Sequence, residues 1–134
     1  MIIQEITLPH YDWSVRIYYA VDTYYADEIL DDLITMGCRG RSLIEAKENL
    51  WSGKLDSGLT YSNYKTHESL MVIGIARNKA QYTNSIAHEQ GHLVKHIAET
   101  YGIDPNSEEV CYLQGDIAEA MYPYSHKLTC SHCS

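Results

Sequence analysis

In SIAHEQGHLVKH, residues 85–96, His88 and His92 stand four positions apart and Glu89 follows the first histidine directly. On a helix, side chains at i and i+4 lie one turn above the other on one face. Two imidazoles at that spacing can therefore converge on one metal ion, and zinc is the ion expected. A metal there lowers the pKa of its water, so that hydroxide becomes available near neutral pH. Glu89 binds no metal in such a site. It takes a proton from the water and later hands it to a leaving amine. A solvated helical face can spell the same pattern by chance, more easily in a chain with seven histidines.

The element that must carry this pattern is a helix from about Asn84 to Tyr101, with Gly102 as its stop. At ~100° per residue, Ile86, Leu93, Ile97, Tyr101, Val94, Ala87, Ala98 and Gly91 fill one arc, interrupted only by Gln90. His88, Glu89, His92, Lys95, His96 and Glu99 fill the opposite arc. The apolar arc is expected on a sheet and the histidines away from it. His96 lies ~12 Å along the axis from His88, too far to share an ion, and is expected at the surface or behind a ligand.

Other elements frame that helix. Val15, Ile17, Tyr19 and Val21 alternate with Ser14, Arg16, Tyr18 and Ala20, which predicts a strand. Ile2 to Leu8 predicts another, with a turn at Pro9 to Asp12. Asp22 or Thr23 is placed to cap a helix carrying Ile29, Leu30, Leu33 and Met36, ended by Gly37. Ser42-Leu43-Ile44-Glu45 has the pattern of a capping box opening a second helix, closed by Gly53. Leu59 to Tyr64 and Ser69 to Ala76 predict a hairpin, and SLMVIGIA is apolar enough for a central strand. Asp104-Pro105 would start the last helix, running to about Met121, with residues 124–134 a loose tail. The expectation is one α+β domain over residues 1–134. Helices pack on a small mixed sheet in the order β-β-α-α-β-β-α-α.

Composition narrows the function classes. The 134 residues carry a net charge of -8 and no basic patch, which argues against a nucleic-acid partner. No stretch approaches the ~20 apolar residues of a membrane span, and the start lacks the pattern of a secretory signal, so the expected place is the cytoplasm. Cys38, Cys111, Cys130 and Cys133 fit a reducing compartment better than a disulfide framework. Tyrosine occurs 12 times and phenylalanine never, so tyrosines are expected in the core with hydroxyls reaching the surface.

The strand SLMVIGIA followed by the helix SIAHEQGHLV resembles the zincin metallopeptidases, with Ser85 where Val or Thr is more usual. EEVCYLQGDIAEAMYP resembles the Glu-bearing helix of the compact ImmA/IrrE-type peptidases, which are linked to phage and mobile elements. The resemblance spans roughly residues 69–123. It implies a minimal zincin-like fold and, at the Glu before Cys111-Tyr112, Glu108 as the third zinc ligand beside His88 and His92. Geometry argues differently. A straight helix to Tyr101 passes ~16 Å beyond the metal level, and an antiparallel partner returns to that level near Asp116. Glu109 is the neighbouring alternative. A metzincin pattern is excluded, because His96 comes too early and no Gly intervenes between His92 and it.

The expected activity is zinc-dependent hydrolysis of a peptide bond in a protein or peptide substrate. Its rivals are a catalytically inactive protein of mobile-element type that keeps the fold for binding, and a protein whose metal is purely structural. Cys130-Ser131-His132-Cys133 offers metal-ligating types but no second pair at matching spacing. Tyr82, Tyr112, Tyr122 and Tyr124 are candidates to stabilise an oxyanion.

Overall fold

Alternation with period two governs the first hairpin. In the computed structural model, which describes residues 2–52 and 58–130, strand β1 (Ile2–Leu8) buries Gln4, Ile6 and Leu8 and exposes Ile3, Glu5 and Thr7. A 3-10 turn at Pro9–Tyr11 leads into β2 (Trp13–Val21), antiparallel to β1. Val15, Ile17 and Tyr19 share one face, as expected, and Trp13 lies on it too. Val21 does not join them. The register slips between Tyr18 and Val21, with Ala20 at φ 56, and this bulge turns Val21 to the face of Tyr18.

The second hairpin joins β3 (Gly58–Asn63) to β4 (Glu68–Gly74), and β4 pairs parallel with β2. The strand order is β1-β2-β4-β3, with apolar β4 central and β3 at an edge. Helices α1 (Ala26–Thr35) and α2 (Gly40–Trp51) cover one face through Ile29, Leu30, Leu33 and Leu50 against Tyr18, Leu70 and Val72. Helices α3 (Lys79–Tyr101) and α4 (Glu108–Thr129) cover the other through Leu93, Ile97, Leu113 and Ile117 against Val15, Ile17, Met71 and Ile73. The fold is α+β, a mixed sheet between two helix pairs, in the expected element order.

Helix boundaries depart from sequence expectation. Asp22 caps the 3-10 turn Thr23–Tyr25 rather than α1, accepting from Tyr24 N. Ser42 caps nothing, because α2 already begins at Gly40. Gly53, its expected stop, lies outside the described residues. Asn78 caps α3 by accepting from Gln81 N, so α3 begins five residues earlier than expected. Gly102 ends α3 in the left-handed conformation, as expected. Pro105 sits in the connection, and Ser107 caps α4 by accepting from Val110 N.

Residues 124–129 are not a loose tail, because α4 continues through Pro123 to Thr129. An interior proline costs a helix about 3 kcal/mol. Tyr124 and Leu128 pack against the core, Tyr124 stacks on Tyr19 at 6.1 Å, and Lys79 Nζ donates to Cys130 O at 2.9 Å. Partial burial of two such side chains returns an amount of that order. Gln4 Nε2 also donates to Ala120 O at 3.1 Å, one residue from the carbonyl that Pro123 cannot serve. Among the described residues, no helix is long and apolar enough to cross a membrane.

The tyrosine expectation holds in part. Tyr18 and Tyr19 are wholly buried, and Tyr19 OH donates inward to Gln4 Oε1 at 2.7 Å rather than reaching the surface.

Candidate metal centre

Helix α3 lies over β4 and β3, and its periodicity sorts its side chains into three sets. Ile86, Leu93 and Ile97 enter the core, and Gln90 Nε2 meets Met121 Sδ of α4 at 3.4 Å. His88 is exposed and His92 half-buried on the outer side. Glu89 and His96 turn towards edge strand β3. Three assignments from the wheel are corrected. Ala87 and Tyr101 are exposed rather than packed on the sheet, and Glu89 is only 5% exposed rather than facing water. For Glu89 the reason is that β3 supplies a polar partner, Thr60, which makes burial of a carboxylate tolerable.

The imidazoles converge as their spacing predicts. His88 Nε2 and His92 Nε2 are 3.1 Å apart. Two nitrogens bound at 2.0–2.1 Å to one tetrahedral ion would lie roughly 3.3 Å apart, so the pair fits zinc with a small adjustment.

The wall opposite comes from alternate residues of β3. Thr60 Oγ1 donates to Glu89 Oε1 at 2.9 Å. Gly58 sits against the same carboxylate, since a Cβ there would lie 3.1 Å from Glu89 Oε2. Asn49 Nδ2 of α2 holds this point of β3 by donating to Gly58 O at 3.1 Å. Burial pushes the Glu89 carboxyl above its ordinary range, while the Thr60 hydrogen bond and then His92 and His88 pull it back. A carboxyl moved in that direction is better matched to general-base work near neutral pH.

One turn beyond His92, the His96 ring packs 6.4 Å from the His92 ring and 5.6 Å from Tyr64. It is half-buried, and its Nδ1 lies 2.6 Å from Ser62 Oγ. Burial lowers its pKa, with Glu99 opposing and His92 adding to the shift. Thr60 and Ser62 escaped the sequence reading. The available signal was the alternation Gly58-Thr60-Ser62, a small and polar face on a strand otherwise read only as half of a hairpin.

No acidic residue of α4 is brought to the pair. Helix α3 runs unbroken to Tyr101, about 20 Å along the axis from His88. There Tyr101 OH donates to Tyr11 O, and Tyr11 OH donates to Glu109 Oε1 at 3.3 Å. The first turn of α4, with Glu108 and Glu109, is thus anchored at the far end of α3, and Glu108 is not placed as the third ligand. Asp116 is not placed there either. The connection at 102–107 delays the return, so Met121 rather than Asp116 lies level with Gln90. Asp116 instead lines a surface hollow with Thr7, His10 and Tyr11. Among the described residues, no three His, Cys, Asp or Glu side chains assemble into a metal-binding group.

The other candidates are dispersed. Tyr112 and Tyr122 are exposed, Tyr122 stacks on His126 at 4.8 Å, and Tyr124 belongs to the packing around Tyr19. Tyr82 packs partly buried against the core. Of the C-terminal ligand types, His132 and Cys133 lie outside the described residues. Cys38 is a buried thiol and Cys111 an exposed one. No protein family, curated protein or solved structure matches the chain.

Proposed function

We propose that the chain is a small zinc metallopeptidase of zincin type, acting in the cytoplasm on a protein or peptide substrate. The observation that carries this is the convergence of His88 Nε2 and His92 Nε2 to 3.1 Å beside a buried carboxyl held by Thr60. His88 and His92 would hold the ion. Zinc, when bound, supplies Lewis acidity toward a carbonyl and toward water. Glu89 is the base. Its raised pKa suits it to accept a proton from water and return it to the departing amine. Thr60 keeps the carboxylate beside the pair and on the side of β3.

A second possibility, a protein that keeps the fold and binds without cleaving, is favoured by one observation. The described residues supply two ligand side chains where catalytic zinc ordinarily has three.

Elemental analysis of untagged protein tests the proposal. About one zinc per chain is expected, collapsing in His88→Ala and His92→Ala and retained in Glu89→Gln. Wild-type protein that stays metal-free after dialysis against zinc would overturn it. A zinc-loaded wild type without hydrolysis of any peptide in a diverse library would favour the binding protein.

A further inference from the structure

Behind His96 runs a hydrogen-bonded chain that crosses the sheet. Trp13 Nε1 lies 2.8 Å from Ser69 Oγ, Ser69 Oγ lies 2.6 Å from Ser62 Oγ, and Ser62 Oγ lies 2.6 Å from His96 Nδ1. Ser69 and Ser62 are 2% and 7% exposed. An indole nitrogen can only donate, and each hydroxyl has a single proton. Running outward, Trp13 donates to Ser69, Ser69 to Ser62, and Ser62 to His96 Nδ1, so every proton finds an acceptor. Running inward, His96 donates to Ser62 and Ser62 to Ser69. Ser69 then receives two protons, and its own has no acceptor among the described residues. A buried hydroxyl proton without an acceptor disfavours that arrangement by roughly tenfold or more.

The outward direction fixes the ring. Nδ1 accepts, the ring is neutral, and its proton is on Nε2. Because Nδ1 faces Ser62 in the sheet, Nε2 points away from Ser62, and the ring lies 6.4 Å from that of His92. No side chain or carbonyl among the described residues accepts from this Nε2–H. A merely supporting role, accepting from His92 Nδ1–H, would need the opposite tautomer.

We infer that the relay from Trp13 through Ser69 and Ser62 locks His96 as an Nε2–H donor, which binds the carbonyl oxygen of a peptide held beside the His88–His92 pair. This rests on the peptidase proposal for the identity of the ligand and on the relay for the direction of the proton. His96 is a substrate-binding residue of fixed polarity, and its selectivity is for an acceptor over a donor.

Two measurements test it. Long-range proton–nitrogen spectra of histidine-labelled, metal-free protein should show His96 with Nδ1 unprotonated and Nε2 protonated. Ser62→Ala should let both tautomers appear. A wild-type ring protonated at Nδ1 overturns the inference whatever the metal does. The second measurement uses zinc-loaded protein, the hydroxamate of acetyl-leucyl-leucine and its alkene isostere lacking the internal carbonyl. Wild type should bind the carbonyl form about 3- to 10-fold more tightly, the effect of one neutral hydrogen bond. His96→Ala should bind both forms equally while keeping its zinc. A wild type without preference, or a His96→Ala that retains it, overturns the binding role alone. Failure to bind zinc or either hydroxamate overturns the peptidase proposal and the role with it, and is recognised by a His96 tautomer that still reads Nε2–H.

Discussion

Gly58→Ala should cost far more than its single methyl suggests. The new Cβ would lie 2.5 Å from Val72 O, 3.1 Å from Glu89 Oε2 and 3.4 Å from Glu89 Cδ. The glutamate can swing aside, but Val72 O is backbone in the central strand, paired through Leu59 to β3 itself. Relief therefore requires β3 to move away from β4, against the Asn49 bond to Gly58 O. Overpacking of this kind costs about 1–3 kcal/mol, and loss of the Thr60 bond to Glu89 adds about 1 kcal/mol. A total of about 2–4 kcal/mol is a large part of the ~5–15 kcal/mol typical of a domain. It lowers Tm by roughly 6–20 °C in a chain of this size. Gly115→Ala supplies the control, since nothing lies within 4 Å of its added Cβ and the site is inside α4. That change should stabilise by about 0.5–1 kcal/mol. Urea unfolding at pH 7 measures both. If Gly58→Ala unfolds within about 0.5 kcal/mol of wild type at equal m-value, β3 yields freely and the clamp on Glu89 does not exist.

Glu108→Ala and Asp116→Ala should both leave zinc affinity unchanged in chelator competition, because neither carboxylate reaches the pair. A loss beyond ~100-fold in either would restore it as a ligand. Tyr124→Ala should destabilise by roughly 1–3 kcal/mol and selectively remove hydrogen-exchange protection from residues 124–129, since packing against Tyr19 holds the helix past Pro123. Acidification tests His96. Its folded pKa lies below the ordinary 6.5, chiefly through burial, so the stability linked to it is present above that value and lost as pH falls through the folded one. His96→Asn should flatten this limb in urea midpoints taken from pH 7 to 5. Glu89 acts with the opposite sign. Its raised pKa gives a contribution present below its ordinary 4.5 and lost as pH rises through the folded value, so Glu89→Gln should gain stability relative to wild type as pH rises.

What the sequence reveals here depends on the range of the interaction. The helix and the convergence of His88 with His92 were legible because both follow from i, i+4 geometry within one element. The central place of β4 was legible from its unbroken apolar run. Glu89 was misplaced because a wheel sorts side chains by polarity and cannot show that Thr60, 29 residues earlier, stands ready to donate. Val21 was misplaced by one bulged residue, Ala20, which period-two patterning cannot anticipate. The misplacement of Glu108 arose from the unbroken run of α3 to Tyr101 and from the anchoring of α4 by Tyr11, contacts between distant parts of the chain.

The strand order also governs how the molecule can assemble. Two hairpins, β1–β2 and β3–β4, close over short turns, whereas the parallel seam between β2 and β4 joins positions about fifty apart, such as Ser14 with Glu68 and Ile17 with Met71. Closing that seam carries most of the loop entropy, and such non-local pairing is the slow kind. Both walls of the candidate centre, β3 and α3, lie on the later side of the seam, so the two histidines and Glu89 can meet Thr60 before it forms. The link from Trp13 to Ser69 cannot, because it spans the seam itself. Until β2 docks, Ser69 lacks its indole donor and nothing dictates which way the hydroxyls point. The protonation pattern of the His96 imidazole thereby becomes an internal record of whether the two halves of the chain have come together.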